Sequence, residues 1–196
     1  MARTNPTKIV GRWREGFALD FHILSSLYVG DDEFGHARFD TTRSELGELL
    51  YRLKYQSDLS AIRELALTAS EFVQRWNRNV EAIVPVPPTR IGRAHQPVLL
   101  VSKALGGALG LPVVEGAVSK VRETPQLKDV SDYNERLSLL DGAFSVDPSQ
   151  VRGLRLLLFD DLYRSGATLN AVASVLYDGG EAAEVYALAL TRTRRR

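Results

Sequence analysis

The chain has 196 residues, of which 44% are hydrophobic, and its 25 basic and 24 acidic residues leave a formal net charge of +1. A charge this close to zero excludes a global electrostatic attraction to nucleic acid or anionic membrane, and the composition is that of one substantial globular domain. The absence of cysteine excludes disulfides, thiolate metal sites and a cysteine nucleophile.

No targeting or membrane segment is recognisable in the sequence. The opening MARTNPTKIVGRW lacks the apolar core of a secretory signal, and no run approaches the roughly 20 apolar residues of a membrane span. We therefore expect a cytoplasmic protein with no membrane partner. The closing TRTRRR is the one basic run, and we interpret it as a solvated tail rather than a nucleic-acid contact.

Two helices are predicted in the first half of the chain. Thr42 and Glu45 have the spacing of a capping box, which predicts a helix over about 42–55. Its apolar positions recur at helical intervals: Leu46, Leu49, Leu50 and Leu53. Ser57 and Asp58 then cap a second helix with a long apolar stripe.

Strands are predicted to alternate with helices from residue 81 onward. The strand-like runs are EAIVPVPP (81–88), LPVVEGAVSKV (111–121), LRLLLF (154–159) and EVYALAL (184–190). Helices are predicted over about 95–109, with Gly110 as C-cap, and over ATLNAVASVLYDGG (167–180). This alternation predicts an α/β fold with a mostly parallel sheet flanked by helices.

Two adjacent carboxylates, Asp160 and Asp161, follow the apolar run at 154–159. Ligands of open parallel sheets gather where loops leave the carboxyl ends of strands. Carboxylates repel phosphate, but they accept hydrogen bonds from hydroxyl groups or bind a divalent cation. The alternative is that both aspartates only cap and solvate the turn from strand to helix.

A glycine-containing turn, from Ser165 to Thr168, comes directly after the carboxylates. Backbone N–H groups and the positive end of the following helix favour a phosphate there, and Gly166 lets the backbone approach it closely. A ribose 5-phosphate satisfies both halves of the motif, because its phosphate fits the turn and its 2- and 3-hydroxyls suit the acids.

The stretch LLLFDDLYRSGATL resembles the phosphoribosyl pyrophosphate signature of type I phosphoribosyltransferases. The wider chain resembles the ComF-like (competence protein F) branch of that family. The supporting stretches are RLKY (52–55), IVPVPPTR (83–90), ALGLPV (108–113), TPQ (124–126), ERLSLLDGAF (135–144) and LALTRT (188–193). The resemblance implies an N-terminal hood and helical region over 1–80, a phosphoribosyltransferase core over 81–193 and a basic tail over 194–196.

The resemblance also implies an activity. The expected partner is phosphoribosyl pyrophosphate with Mg²⁺, whose ribose 5-phosphate passes to an unidentified base or amine with release of pyrophosphate. The alternative is a non-catalytic protein that senses phosphoribosyl pyrophosphate or assists DNA uptake, with nucleic acid or the competence machinery as partner. Homodimer formation, which is frequent among type I relatives, is left open.

Site residues follow from the resemblance and from the expected sheet edge. Asp160 and Asp161 are the expected catalytic residues, and they also contact Mg²⁺ if any protein group does. The expected substrate-binding residues are Leu162, Tyr163, Arg164, Ser165, Gly166, Ala167 and Thr168, with Arg90 and Arg93 opposite them. The aperiodic stretch at 120–135 is either a mobile flap bearing Lys120, Arg122 and Lys128 or an ordinary surface loop.

Other features keep two interpretations. Family loops commonly have Thr-Thr-Gly where this chain has Arg164-Ser165-Gly166, so Arg164 either clamps phosphate or points to solvent. Lys54 either contributes to the site or caps its helix. The N-terminal aromatic residues either stack on an acceptor base or belong to the core: Trp13, Phe17, Phe21, Tyr28 and Phe34. None of the dispersed histidines is assigned to a metal: His22, His36 and His95.

Overall fold

The computed structural model describes residues 1–88, 96–122 and 132–194. The strands in chain order are β1 (Thr7–Lys8), β2 (Glu15–Phe21), β3 (Ile23–Asp31), β4 (Ala37–Arg43), β5 (Ala82–Pro85), β6 (Val118–Lys120), β7 (Phe144–Val146), β8 (Arg155–Tyr163) and β9 (Glu184–Arg192). The helices are α1 (Glu45–Tyr55), α2 (Ala61–Trp76), α3 (Pro97–Leu109), α4 (Tyr133–Leu140) and α5 (Ala167–Asp178). In the described residues no helix combines the length and apolarity needed to cross a bilayer.

Five strands form the central sheet in the order β1–β2–β9–β8–β5. Strands β2, β9, β8 and β5 run parallel, and only the short edge strand β1 is antiparallel to its neighbour. The predicted α/β fold with a mostly parallel sheet is therefore confirmed. Because these four strands share one direction, their carboxyl ends meet at a single edge of the sheet.

Helices cover both faces of the sheet. Successive side chains of a strand point to opposite faces, so Leu157 and Phe159 pack with α1, α2 and α3, whereas Leu156 and Leu158 pack with α5. All four residues are fully buried. A strand buried on both faces must be continuously apolar, which is why the run at 154–159 was recognisable from sequence.

The first helix begins later than predicted. Ser44 is the N-cap of α1, and its Oγ accepts a hydrogen bond from the Gly47 backbone N–H at 3.0 Å. Thr42 instead lies in β4, opposite Ser25, so the predicted capping box is wrong. Ser44 Oγ also donates to the Phe21 carbonyl at 2.5 Å, which ties the start of α1 to the end of β2.

The remaining predicted helices are confirmed with shifted ends. The second helix begins at Ala61, and Asp58 accepts from the Ser60 backbone N–H at 3.0 Å instead of occupying the N-cap itself. The third ends at the predicted Gly110, whose φ of 69° lies in the left-handed region. The fourth predicted helix, α5, begins directly after Gly166.

Several elements were not predicted from the sequence. The segment 23–43 is an antiparallel hairpin of β3 and β4, separate from the central sheet. Helix α4 and strand β7 also lie in stretches that gave no periodic signal. The predicted strand at 111–121 reduces to β6 and one bridge between Val113 and Ile83. Strands β1 and β2 join the central sheet, so the sheet crosses the predicted boundary at 80/81.

Gly47 is expected to be irreplaceable, because a Cβ at this position would lie 2.1 Å from the His22 carbonyl oxygen. We expect Gly47→Ala to lower the free energy of unfolding by about 2 kcal/mol or more through overpacking. Gly107 is the matched control, because its added Cβ meets nothing within 4 Å. Gly107→Ala should raise the free energy of unfolding by about 0.5–1 kcal/mol through helix propensity. Urea denaturation measures both, and equal effects would contradict the assigned contact.

Candidate functional site

A cavity of about 590 Å³ lies at the carboxyl edge of β5 and β8. Its walls come from the loop after β5 at 85–88, the start of α3 at 96–99, the end of β8 at 160–162 and the segment 118–120. Lys54, near the end of α1, also lines it. The parallel sheet thus brings segments that are distant in sequence to one crevice, at the edge where such folds hold ligands.

A smaller cavity of about 90 Å³ adjoins the first, at the turn between β8 and α5. Residues 162–169 line it together with Asp160, and three residues face both cavities: Asp160, Leu162 and Thr168. Its volume equals that of about three liquid water molecules, which suits a single phosphate-sized group.

The N-terminus of α5 faces this smaller cavity without a side-chain cap. Gly166 is the N-cap residue with φ 83°, and no side-chain hydrogen bond caps the helix. The Ala167 N–H has only a long contact of 3.4 Å to Ser165 Oγ. The first N–H groups of a helix have no partner within it, so these donors are available to an oxyanion. Gly166 is required sterically as well, because a Cβ there would lie 2.8 Å from the Tyr163 ring.

The two carboxylates at the end of β8 have different partners. Asp161 forms an ion pair with Lys54, with 2.6 Å between Oδ2 and Nζ, and each side chain is only 14% exposed. Asp160 instead accepts a hydrogen bond from the Asp161 backbone N–H at 2.8 Å. One carboxylate is therefore neutralised by a fixed cation, whereas the other is not.

Burial, together with the adjacent negative charge of Asp161, raises the pKa of Asp160 to about 7. The hydrogen bond from the Asp161 N–H and the charge of Lys54 act in the opposite direction. Asp160 therefore exists in both protonation states near neutral pH. In its ionised form the Asp160 carboxylate can accept a hydrogen bond or a proton from a ligand hydroxyl, and in its protonated form it can donate either.

A polar cluster surrounds the ion pair on the side of β9. Thr191 donates from Oγ1 to the Asp161 carbonyl at 3.1 Å, and His22 Nδ1 lies 3.3 Å from the same hydroxyl. Burial lowers the pKa of His22, and the charges of Lys54 and Arg43 lower it further. His22 is therefore neutral at pH 7 and orients its neighbours by hydrogen bonding rather than by charge.

The structure brings most of the predicted site residues together. Asp160 and the predicted loop residues from Leu162 to Thr168 line the smaller cavity, and Lys120 lines the larger one. Arg164 is exposed in that loop. The other predicted cations, Arg90, Arg93 and Lys128, lie outside the described residues.

Arg122 has a structural contact. Its Nη2 donates to the carbonyls of Leu139 and Asp141 at 3.0 and 2.6 Å. The guanidinium therefore fastens the segment after β6 to the end of α4, and it is not among the residues that line either cavity.

The N-terminal aromatic residues divide between core and surface. Phe17 packs edge-on against Phe72 and Trp76, and Trp13 is buried, so these belong to the core. Tyr28 and Phe34 are exposed on the hairpin. Phe21 lies at the carboxyl end of β2, beside cations of the chain's C-terminal segment.

Three residues that were given no definite role from the sequence lie at this edge: Lys54, Thr191 and Arg192. Lys54 pairs with Asp161, and the stretch RLKY was its only signal. Thr191 and Arg192 belong to TRTRRR, which was predicted to be a solvated tail, and to LALTRT, which supported the resemblance. Both residues lie in β9 beside the end of β8, and Thr191 is buried, so the tail prediction is wrong for these two positions. Within the described residues, no group of three or more His, Cys, Asp or Glu side chains could hold a metal ion.

No family model and no curated protein matches the chain. Among solved structures, adenine phosphoribosyltransferase from Trypanosoma brucei, in complex with AMP, pyrophosphate and ribose-5-phosphate, is similar with a TM-score of 0.51 and 11% identity. The match covers 97% of this chain and 75% of that one. Glutamine phosphoribosylpyrophosphate amidotransferase from B. subtilis, complexed with ADP and GMP, is similar with a TM-score of 0.50 and 16% identity, over 81% of this chain and 34% of that one.

These likenesses show the fold. The chain has the α/β architecture of type I phosphoribosyltransferases, with a mostly parallel sheet between two layers of helices. At such low identity the fold is all that the likeness establishes. The narrower resemblance to the ComF-like branch stays a prediction.

We expect Gly166→Ala to weaken binding of inorganic phosphate at least about fivefold, because the new Cβ meets the Tyr163 ring and displaces the backbone donors. Gly142→Ala is the matched control, since Gly142 also has positive φ, at 63°, but its Cβ would meet nothing within 4 Å. Amide shift changes in a ¹H–¹⁵N NMR titration report both affinities. Equal phosphate affinity in the two variants would contradict the phosphate-loop assignment.

Lys54→Met should raise the pKa of Asp160 above its value of about 7. The substitution removes a positive charge that lowers this pKa, and it leaves the negative charge of Asp161 unpaired. Lys103→Met is the control, because Lys103 pairs with Glu115 at 2.9 Å and lies on the surface. The ¹³C carboxyl shift of Asp160 followed against pH measures the change, and a lowered pKa would refute the assigned electrostatics.

Proposed function

We propose that the protein binds phosphoribosyl pyrophosphate and transfers its ribose 5-phosphate to an acceptor nitrogen, releasing pyrophosphate. One observation carries the proposal: a single crossing from β8 to α5 places two carboxylates next to an uncapped helix start. The two adjoining cavities share Asp160, Leu162 and Thr168. Ribose 5-phosphate needs an acceptor of hydroxyl protons at one end and an oxyanion cradle at the other, and this crossing offers both.

The fold likeness supports the same function. The T. brucei neighbour is described in complex with pyrophosphate and ribose-5-phosphate, which are the two halves of the proposed substrate. The proposed orientation puts the 5-phosphate at residues 164–168, the 2- and 3-hydroxyls at Asp160 and Asp161, and the pyrophosphate in the larger cavity. Lys120 lines that cavity and supplies positive charge for the leaving group, whereas Lys54, also on its wall, is paired with Asp161.

The transfer exchanges one bond at the anomeric carbon. The acceptor nitrogen forms a bond to C1 as the bond from C1 to the pyrophosphate oxygen breaks. The electron pair of the broken C1–O bond leaves with pyrophosphate. A proton from the acceptor nitrogen passes to solvent or to a weak general base. Positive charge accumulates on the sugar in such a step, as in glycoside hydrolysis, so nearby carboxylates stabilise it.

The two carboxylates divide the work in this scheme. The Asp161 carboxylate is held by Lys54 and stays in a fixed position for a sugar hydroxyl. The raised pKa of Asp160 makes its carboxyl able to hold or release a proton near neutral pH. Placement of the substrate by fixed groups, rather than covalent catalysis, supplies most of the expected acceleration.

The residues at this edge fit a magnesium ion that is held mainly by its substrate. Asp160 and Asp161 are adjacent oxygen donors on the wall of the larger cavity, and Mg²⁺ typically takes one or two carboxylates together with substrate phosphates and water. When bound, the ion supplies charge neutralisation to the pyrophosphate. Mg²⁺ dependence is therefore part of the proposal.

Asp160→Ala should weaken binding of phosphoribosyl pyrophosphate at least about tenfold in the presence of Mg²⁺, because hydrogen bonds between charged groups and hydroxyls are lost. Asp40→Ala removes an exposed carboxylate on β4 and serves as the control. Isothermal titration calorimetry measures both affinities. An unchanged affinity in Asp160→Ala would remove the basis of the site assignment.

Turnover is tested separately from binding. The protein is incubated with phosphoribosyl pyrophosphate, Mg²⁺ and a panel of nitrogen acceptors, and pyrophosphate release is recorded. Release that requires an acceptor supports transfer, whereas release without one indicates hydrolysis. Tight binding without release would favour the alternative of a sensing or DNA-uptake accessory protein.

A further inference from the structure

Two arginines at the end of β9 lie against aromatic rings. The Arg192 guanidinium carbon is 5.6 Å from the centre of the Phe21 ring and 5.9 Å from that of Tyr163. The Arg194 guanidinium carbon is 5.2 Å from the Phe21 ring centre. Neither arginine forms an ion pair with a carboxylate in the part of the chain that the structure describes. Two positive charges therefore converge on one ring, and no carboxylate among the described residues pairs with either of them.

The Arg192 guanidinium also carries an unsatisfied donor. Its Nε is buried and has no hydrogen-bond partner among the described residues. A cation–π contact accounts for the position of the planar group, but it does not satisfy an in-plane N–H. A buried donor without a partner is unfavourable. Because the Nε atom itself is inaccessible, an anion can meet this guanidinium only through its terminal N–H₂ groups.

The arginines lie at the same sheet edge as the proposed sugar site. Tyr163 of β8, Arg192 of β9 and Phe21 of β2 are paired in register across three neighbouring strands. The Tyr163 ring packs against Gly166 of the phosphate loop. On the same strand as Arg192, Thr191 donates to the Asp161 carbonyl. Neighbouring strands are about 4.8 Å apart, so Phe21 of β2 lies about 10 Å from β8, and Arg192 of β9 lies between Phe21 and the proposed sugar site.

We propose that Arg192 and Arg194, with Phe21, bind the acceptor, and that they select a planar ring that carries a carboxylate. This inference rests on the proposed phosphoribosyl transfer and names the class of its acceptor: an aromatic acid with a nucleophilic nitrogen. The acceptor ring packs beside the Phe21 ring and the two guanidiniums, and its carboxylate receives the guanidinium donors.

The chemistry of the arginines explains why an acid is preferred over a neutral base. A guanidinium presents several N–H donors and no acceptor, and it matches a carboxylate through two parallel hydrogen bonds. A carboxamide of the same shape turns its own N–H₂ donors towards the guanidinium. One donor of each partner is then unpaired in a partly desolvated site, and such mismatches discriminate strongly.

Matched pairs of acid and amide test the proposal by calorimetry on the full chain. The pairs are 2-aminobenzoate with 2-aminobenzamide, pyridine-3-carboxylate with pyridine-3-carboxamide, and a pyrimidine carboxylate with its amide. We expect at least one acid to bind at least about tenfold more tightly than its amide, the size of effect that a hydrogen bond to a charged group gives. The absence of an acid preference in all three pairs would overturn the proposal.

Arginine variants show whether the preference belongs to this site. In Arg192→Gln and Arg194→Gln the acid preference should fall below about threefold, whereas the exposed Arg63→Gln control should retain it. Arg192→Lys keeps the charge but not the planar fork, so it should retain only part of the preference. Circular dichroism confirms that each variant is folded. An acid preference that survives both glutamine substitutions would place the acid elsewhere and overturn the proposal.

Titration of the wild-type chain with phosphoribosyl pyrophosphate, without any acid, separates this inference from the proposed function. Binding of the sugar pyrophosphate without an acid preference would overturn the acceptor assignment alone. An arginine-dependent acid preference without binding of phosphoribosyl pyrophosphate would support the anion site and overturn the transfer that it was proposed to serve.

Discussion

Burial of β8 on both faces is the constraint on which the rest of the structure depends. Residues 156–159 are fully buried between the two helical layers and between β5 and β9. Because a shift of this apolar run along the sheet would carry a carboxylate into the core, the two residues that follow are held at the carboxyl edge. Asp160 and Asp161 are the first partly exposed residues after this buried run.

The electrostatics of the edge follow from this placement. Two adjacent carboxylates in a partly buried position repel each other, and the fold relieves one of them with Lys54 from α1. The other keeps a raised pKa, because burial and the neighbouring charge both oppose its ionisation. In the proposed function, a ligand that supplies hydroxyl donors or a cation relieves this unfavourable arrangement.

The N-terminal segment connects the proposed sugar site with the proposed acceptor site. Ser44 caps α1 and bonds the Phe21 carbonyl, so the helix that carries Lys54 and the strand that carries Phe21 are fixed together. The β3–β4 hairpin leaves the sheet directly after this point and exposes large apolar side chains, among them Leu27 and Phe34. The hydrogen bond from Ser44 to Phe21 thus helps to fix the position of Lys54, which pairs with Asp161. It also helps to fix the Phe21 ring, against which Arg192 and Arg194 lie.

The sequence by itself determined the elements whose signals are local. The apolar runs of β5, β8 and β9, the stripes of α1, α2 and α3, and the order of two acids followed by a glycine turn and a helix were all predicted from residues within about 15 positions of one another. These signals also sufficed for the α/β fold class and for the candidate loop, because alternation of strand and helix restricts the topology severely.

Only the tertiary structure decided which distant segments meet. Strand β2 pairs with β9 across more than half the chain, Lys54 reaches Asp161, and Phe21 lies under Arg192 and Arg194. No periodicity encodes such contacts, since a lysine at a helix end or an arginine near a terminus has the same local pattern whether it is solvated or paired. The hairpin was not predicted for a different reason. Its strands expose most of their side chains, so the sequence carries no alternating pattern of apolar and polar residues.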